Sequence, residues 1–206
     1  MSVVHMIDDI RDWAQTSICD KIQLKQPPVD LDAPTDAGYE HKLVTPTAFA
    51  MYVPTSDKLP PKVHAPFPCL CVRPANGEDS LANESGFAII QLCFSAWDPG
   101  THGEDILHPV GGLEFERWSG EEADAYFRRH GEGWRDAWNF LDIGRRALES
   151  VTNIRGFVID RNTPIKWGPM DEQISIPDHY PTWFAWVSFR VNYPLVRNIE
   201  DLQDFL

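Results

Sequence analysis

Basic charge is scarce in this chain. It sets 18 Lys and Arg against 31 Asp and Glu, for a formal net charge of -13 and a pI near 4.8. That balance argues against a protein that grips nucleic acid or an anionic membrane through a basic face. Long apolar runs are missing too. No stretch approaches the roughly 18 consecutive apolar residues of a membrane-spanning helix. The opening MSVVHMIDDIRDW lacks the basic start, unbroken apolar segment and small-residue cleavage site of a secretory signal, so a soluble chain that stays where it is made is expected. Cysteine is sparse: Cys19, Cys69, Cys71 and Cys93 lack the dense spacing of disulfide-stapled domains and read as buried reduced thiols.

Motifs of catalysis are absent as well. There is no G-x-S-x-G elbow, no H-E-x-x-H helix, no G-x-x-x-x-G-K-[ST] loop and no G-x-G-x-x-G after a strand. Gly111-Gly112 and Gly131-Glu132-Gly133 are isolated turn glycines. The sequence therefore assigns no catalytic residue, no cofactor site and no metal ligand, and the chain is expected not to be an enzyme.

What is present describes a globular protein. Apolar residues make up 43%, aromatics 12% and charged residues 24%, close to ordinary folded domains. At about 150 residues per domain, residues 1–206 suit a single domain carrying an insertion. Seventeen prolines and eight tryptophans add rigid turns and bulky amphipathic side chains.

Periodicity locates the elements. Apolar residues recur every three or four positions from Val3 to Ile22, which predicts an amphipathic helix of about 30 Å with Ser2 as N-cap. Pro27 and Pro28 stop it, and Val29 to Gly38 reads as an acidic loop. Leu43 to Val53 suits a strand, and Lys58 to Pro68 a rigid extended connection. Cys69 to Arg73 and Phe87 to Trp97 predict a β-hairpin, with Asn76 to Asn83 as its tip because Asn-Gly favours a turn. In the second strand Ala88, Ile90, Leu92, Phe94 and Ala96 share one apolar face.

Asp98 to Glu132 is the least regular stretch, with nine acidic residues against three arginines. It reads as an exposed insertion holding a short helical signal from Glu121 to Arg129. A second helix is expected from Gly133 to Ser150, with Trp134, Ala137, Trp138, Leu141, Gly144 and Leu148 on one face. Gly144 weakens that helix but admits a close neighbour. Phe157 to Trp167, bent around Arg161 and Asn162, and Trp183 to Tyr193 complete the extended segments. The order predicts an α+β fold: a mainly antiparallel or mixed sheet, two long amphipathic helices on one face, and an irregular insertion at 98–132.

Several clusters could carry chemistry. His64, Cys69, Cys71 and Cys93 are zinc-ligand types, yet a Cys-x-Cys step on a flat strand chelates poorly and core thiols are the simpler reading. Asp30, Asp32 and Asp36 fall at calcium-loop spacing, but Pro34, Thr35 and His41 occupy positions where such a loop needs other residues. His102, Glu104, Asp105 and His108 could bind a metal or move protons, and a charged surface insertion explains them equally. Trp134 and Trp138, at i,i+4, are core residues more readily than a ligand platform.

Several segments together resemble the tail terminator, or tail-completion, proteins of long-tailed bacteriophages. They are Pro66-Phe67-Pro68 leading into CLCVRP, Gly77-Glu78-Asp79, the strand FAIIQLCFSAWDP, Gly133-Trp134 with LDIGRRAL, PIKWGPMDE from Pro164 to Glu172, and Tyr193-Pro194. The likeness spans about two thirds of the chain plus the N-terminal helix. It implies a non-enzymatic virion subunit, assembled in the bacterial cytoplasm, that forms a ring, commonly a hexamer, at the head-proximal end of the tail. Its implied partners are further copies of itself, the tail tube protein and the head-tail connector or head-completion protein, with DNA passing through without tight binding and no membrane involved. A ring needs head-to-tail contacts, for which the hairpin tip (Asn76, Gly77, Glu78, Asp79), Trp97, Trp118 and the 98–132 insertion are the candidates. The rivals are another neck subunit, or a metal-dependent enzyme or small-molecule binder built on His102, Glu104, Asp105 and His108.

Overall fold

A computed structural model describes residues 2–27, 42–63, 65–98, 107–111, 114–117, 133–169 and 182–195. Ser2 starts the first helix, α1 (Val3–Ser17), its hydroxyl accepting the Val4 N–H at 3.2 Å. Met6, Ile7, Ile10 and Ala14 form the buried stripe. The helix stops five residues short of the expected Ile22: Ile18 leaves helical geometry at φ -122° and Cys19–Lys21 tighten into a 3₁₀ turn. The second helix, α2 (Trp134–Ser150), buries Ala137, Phe140, Leu141, Gly144 and Leu148. Among the described residues no helix is long and apolar enough to cross a membrane.

The strand expected at Leu43 to Val53 is split. Thr45 and Pro46 separate β2 (Leu43–Val44), which pairs with β1 (Leu24–Lys25), from β3 (Thr47–Ala50). Met51, at φ 68°, then turns the chain out of the sheet. β4 runs from Cys69 to Ser80 and β5 from Ser85 to Trp97, joined by a turn at residues 81–84. The expected tip is therefore corrected: Asn76 to Asp79 belong to the strand. β4 continues past Pro74 because β3 has already ended and no neighbouring strand needs that missing amide. A register shift between Pro74 and Asn76 absorbs the disturbance.

The stretch expected to be irregular holds an antiparallel pair, β6 (Leu107–Gly111) and β7 (Glu114–Arg117), in a two-stranded sheet of its own. The helical signal at 121–129 lies outside the described residues. β8 (Asn153–Ile154), β9 (Phe157–Ile159), β10 (Lys166–Gly168) and β11 (Thr182–Pro194) follow. β9 and β10 both pair with β11, so the segment expected to bend around Arg161 and Asn162 does so. Asp160 fastens the bend: it accepts the Asn162 N–H and the Thr163 hydroxyl, each at 2.9 Å, and faces Arg190 Nε at 3.3 Å. Those donors, the Asn162 amide foremost, hold its carboxyl below the usual range.

The main sheet has seven strands in the order β3-β4-β5-β11-β9-β8, with β10 also on β11. Only β3 and β4 are parallel, so the sheet is mixed and the fold is α+β. Leu70, Val72, Ile90, Leu92, Phe94, Ala185, Val187 and Val191 join the buried faces of both helices in one core. Phe94 packs edge-on against Phe140 at 5.0 Å. It leaves only 2.5 Å between its Cζ and the position a Cβ on Gly144 would take, which is why α2 carries glycine there. The opposite face holds a smaller cluster of Cys71, Cys93 and Trp186, capped by Val53.

Candidate assembly surface

Both lateral edges of the sheet stop short of full pairing. β3 covers β4 only from Cys69 to Val72, and among the described residues no strand covers the side of Asn76 to Ser80 that faces away from β5. Asn76, Gly77, Glu78 and Asp79 are exposed, as expected for contact residues, but they line a strand edge rather than a loop tip. Tyr193 supports this edge from β11: its ring covers Gly86 and its hydroxyl donates to Asp79 Oδ1 at 3.1 Å. The turn beyond is tied down by the Leu195 N–H to the Glu84 carbonyl at 2.9 Å, and it leaves Leu81 exposed.

A groove of about 360 Å³ runs beneath this edge on the helix side. Val3 and Met6 of α1, Pro74 and Gly77 of β4, Ala88 and Tyr193 line it. It exists because Gly77 and Ala88, paired across the hairpin, leave the sheet surface low where α1 begins.

The far edge is built differently. β10 places Lys166 and Gly168 opposite Ser188 and Trp186, and Trp167 opposite Val187, which puts Trp167 on the helix side. There Trp167 packs edge-on against Trp138 of α2 at 5.9 Å and lies under the Arg145 guanidinium at 5.1 Å, yet stays 48% exposed. Gly168 sits under the Trp186 ring, whose Nε1 donates to the Pro169 carbonyl. Sequence reasoning passed over Lys166 and Trp167 as contact residues. Their signal was a lone tryptophan in a strand bounded by proline and glycine.

A third feature is the stem of the 99–132 segment. Asp98, buried, makes an ion pair with Lys25 Nζ at 2.7 Å, and its carbonyl accepts the Trp183 indole N–H at 2.9 Å. Gly133 packs onto the same spot, for a Cβ there would lie 2.5 Å from that carbonyl. Asp98 and Gly133, which flank that segment, thus lie against one another. Burial, then the Asp98 charge, raises the Asp136 carboxyl above its usual range, with Lys25 opposing. Trp97 lies opposite Thr182 beside this stem and is half-buried. Trp118 lies outside the described residues.

Of the remaining candidate ligands only the cysteines lie wholly within the described residues. Cys69, Cys71 and Cys93 are free and buried, with Cys71 opposite Cys93 and Cys69 Sγ 2.9 Å from Ser95 Oγ. Burial pushes the Cys69 and Cys93 thiols up to about 12, and raises Cys19 and Cys71 as well. His64, the calcium-like Asp30, Asp32 and Asp36, and His102, Glu104 and Asp105 lie outside the described residues. His108 is placed only as a backbone position in β6, opposite Glu116. Among the described residues no group of three or more His, Cys, Asp or Glu gathers as a metal site would. No family model and no curated protein matches the chain.

Proposed function

We propose that this protein is a non-enzymatic phage or prophage tail terminator. It assembles as a ring, a hexamer by the family resemblance, at the head-proximal end of the tail tube, in the neck of the virion. There it stops tube growth, offers its other surface to the head-tail connector or head-completion protein, and lets DNA pass.

The observation that carries this reading is the pair of unlike lateral edges on one sheet: an exposed acidic strand beside an apolar groove, and a short strand presenting a tryptophan and a lysine. Unlike edges suit head-to-tail contacts, which close into rings where two identical edges would stop at a dimer. The finer architecture fits the same role. Two long amphipathic helices packed on one face would form the outer wall, leaving the opposite face towards the bore. The net charge of -13 offers a DNA duplex no counterion-release affinity.

Native mass spectrometry and electron microscopy of the purified chain, alone and with tail tubes from the encoding phage, test the proposal. Rings seated on tube ends, with tubes ceasing to grow, are expected. A chain that stays monomeric at high concentration and leaves tube growth unchanged refutes it.

A further inference from the structure

The ring reading leaves open how one subunit holds the next. Resting on that reading, we infer that β10 of one copy adds as an antiparallel strand to the open edge of β4 in its neighbour, with Trp167 entering the neighbour's groove at Gly77. The interface is a continuation of the sheet.

Strand direction allows it. Between the two edges that no described strand covers, the strands run β4, β5, β11, β10, each antiparallel to the last. Because that number is even, copies related by rotation about an axis bring a descending β10 beside an ascending β4. No copy has to be inverted.

The backbone groups point the right way as well. On β4 the helix-side residue Val72 gives its carbonyl to Met51, towards the β3 edge. Gly77, on the same face opposite Ala88, directs its amide and carbonyl to that edge too, where β3 no longer reaches. On β10, Lys166 and Gly168 share the face whose amides meet β11, so helix-side Trp167 directs its own outward. Trp167 and Gly77 therefore form a hydrogen-bonded pair with both side chains on the helix side.

That register matches side chains at neighbouring positions. Lys166 falls opposite Glu78 on the other face, and Gly168 opposite Asn76. The exposed part of the Trp167 ring projects over Gly77, which has no side chain to oppose it, into the groove between Val3, Met6 and Tyr193. An indole over a strand glycine repeats what Tyr193 does over Gly86 within the subunit. The edges also interlock: β3 ends below the slot that β10 enters.

The stagger is the kind that closes a sheet. Trp167 lies level with Val187, and Gly77 with Ala88 and Val191, four residues further along β11. At ~3.4 Å per residue and ~4.8 Å between strands, four residues over four strands tilt them by about 35°, within the range of closed barrels. Glu78, Lys166, Ser188 and Asn192 then face the bore.

Cysteines at the matched pair test the contact in the full chain. Residues 78 and 166 form a non-hydrogen-bonded pair with Cα atoms about 4.5 Å apart, a spacing that a disulfide spans, and the native thiols are buried. The E78C/K166C double variant should give, on oxidation, a covalent ladder on non-reducing gels that ends at the ring number, while neither single variant does. Independently, E78K should weaken association at least tenfold and E78K/K166E should restore it. Rings visible in the microscope whose double-cysteine chains stay unlinked overturn this interface and leave the ring reading intact. Chains that form neither rings nor cross-links at high concentration overturn both.

Discussion

Tyr193 reaches across Gly86 to hydrogen-bond Asp79, three strands tied in one row at the end of the sheet that carries the open edge. A Cβ on Gly86 would lie 2.6 Å from the Tyr193 ring and closer still to the Asp79 carboxylate. Gly86→Ala should therefore destabilise by about 1–3 kcal/mol through overpacking. Tyr193→Phe, which keeps the ring and loses one exposed hydrogen bond, should cost about 0.5 kcal/mol. Urea unfolding of the two variants checks the order; equal losses would show that the hydroxyl, not the ring, supports the edge.

Gly144 poses the opposite balance inside α2. Alanine is the better helix former by about 1 kcal/mol, but its methyl group would meet the Phe94 ring, itself fixed against Phe140. Overpacking a filled core costs about 1–3 kcal/mol, so Gly144→Ala should lower stability by about 1 kcal/mol net. Phe94→Leu opens the space. The double variant Gly144→Ala/Phe94→Leu should therefore lose less than the sum of the two single losses, measured by thermal unfolding.

Gly144 and Gly77 mark what sequence could and could not deliver. Gly144 was legible because helical period placed it on the buried face of a strong repeat. Alternation likewise exposed the apolar faces of β5 and β11. Asn76-Gly77 misled because turn propensity is local, whereas β4 continues for a reason 20 or more residues away: β3 stops at Ala50 and frees the edge. Polarity and the Asn-Gly step suggested a tip at residues 76–79, where the chain is exposed but still in strand. Lys166 and Trp167 became contact candidates only once pairing with β11 placed them on an edge. β6 and β7, interrupted by Pro109 and paired only as a short two-stranded sheet, carry too little alternation to be read.

Removing Lys25 should expose how the stem is held. Asp98 is 6% exposed and Lys25 22%, so Lys25→Met removes the cation that faces a nearly buried carboxylate and should cost about 2–3 kcal/mol, below a fully buried pair because Lys25 keeps some contact with water. Asp136 adds a pH signature. Its carboxyl is raised by burial and by Asp98, so the folded state holds that proton more tightly than the unfolded chain does. Well below pH 3.8 both states are protonated; as pH rises through 3.8 the unfolded chain ionises first and folded stability from this group is lost. Asp136→Asn removes that loss. Comparing urea midpoints from pH 3 upwards, the variant should gain on the wild type as the pH rises, and a constant difference would dismiss Asp136 as the source.

The contact between Asp98 and Gly133 predicts that the 34 residues 99–132 can be replaced without loss of the core. Gly133 packs onto the Asp98 carbonyl, so a linker of about four residues can join them without moving β5, β11 or α2. Shortening the closed loop from 34 residues to about four lowers its closure entropy by about 2 kcal/mol. The shortened chain should thus match or exceed the parent in thermal stability. Retained rings with uncontrolled tail length would place the 99–132 segment on the tube or connector side, whereas loss of the rings themselves would make it part of the subunit contact. A chain that no longer folds would show that the segment completes the core, contrary to the closed stem formed by Asp98, Lys25 and Gly133.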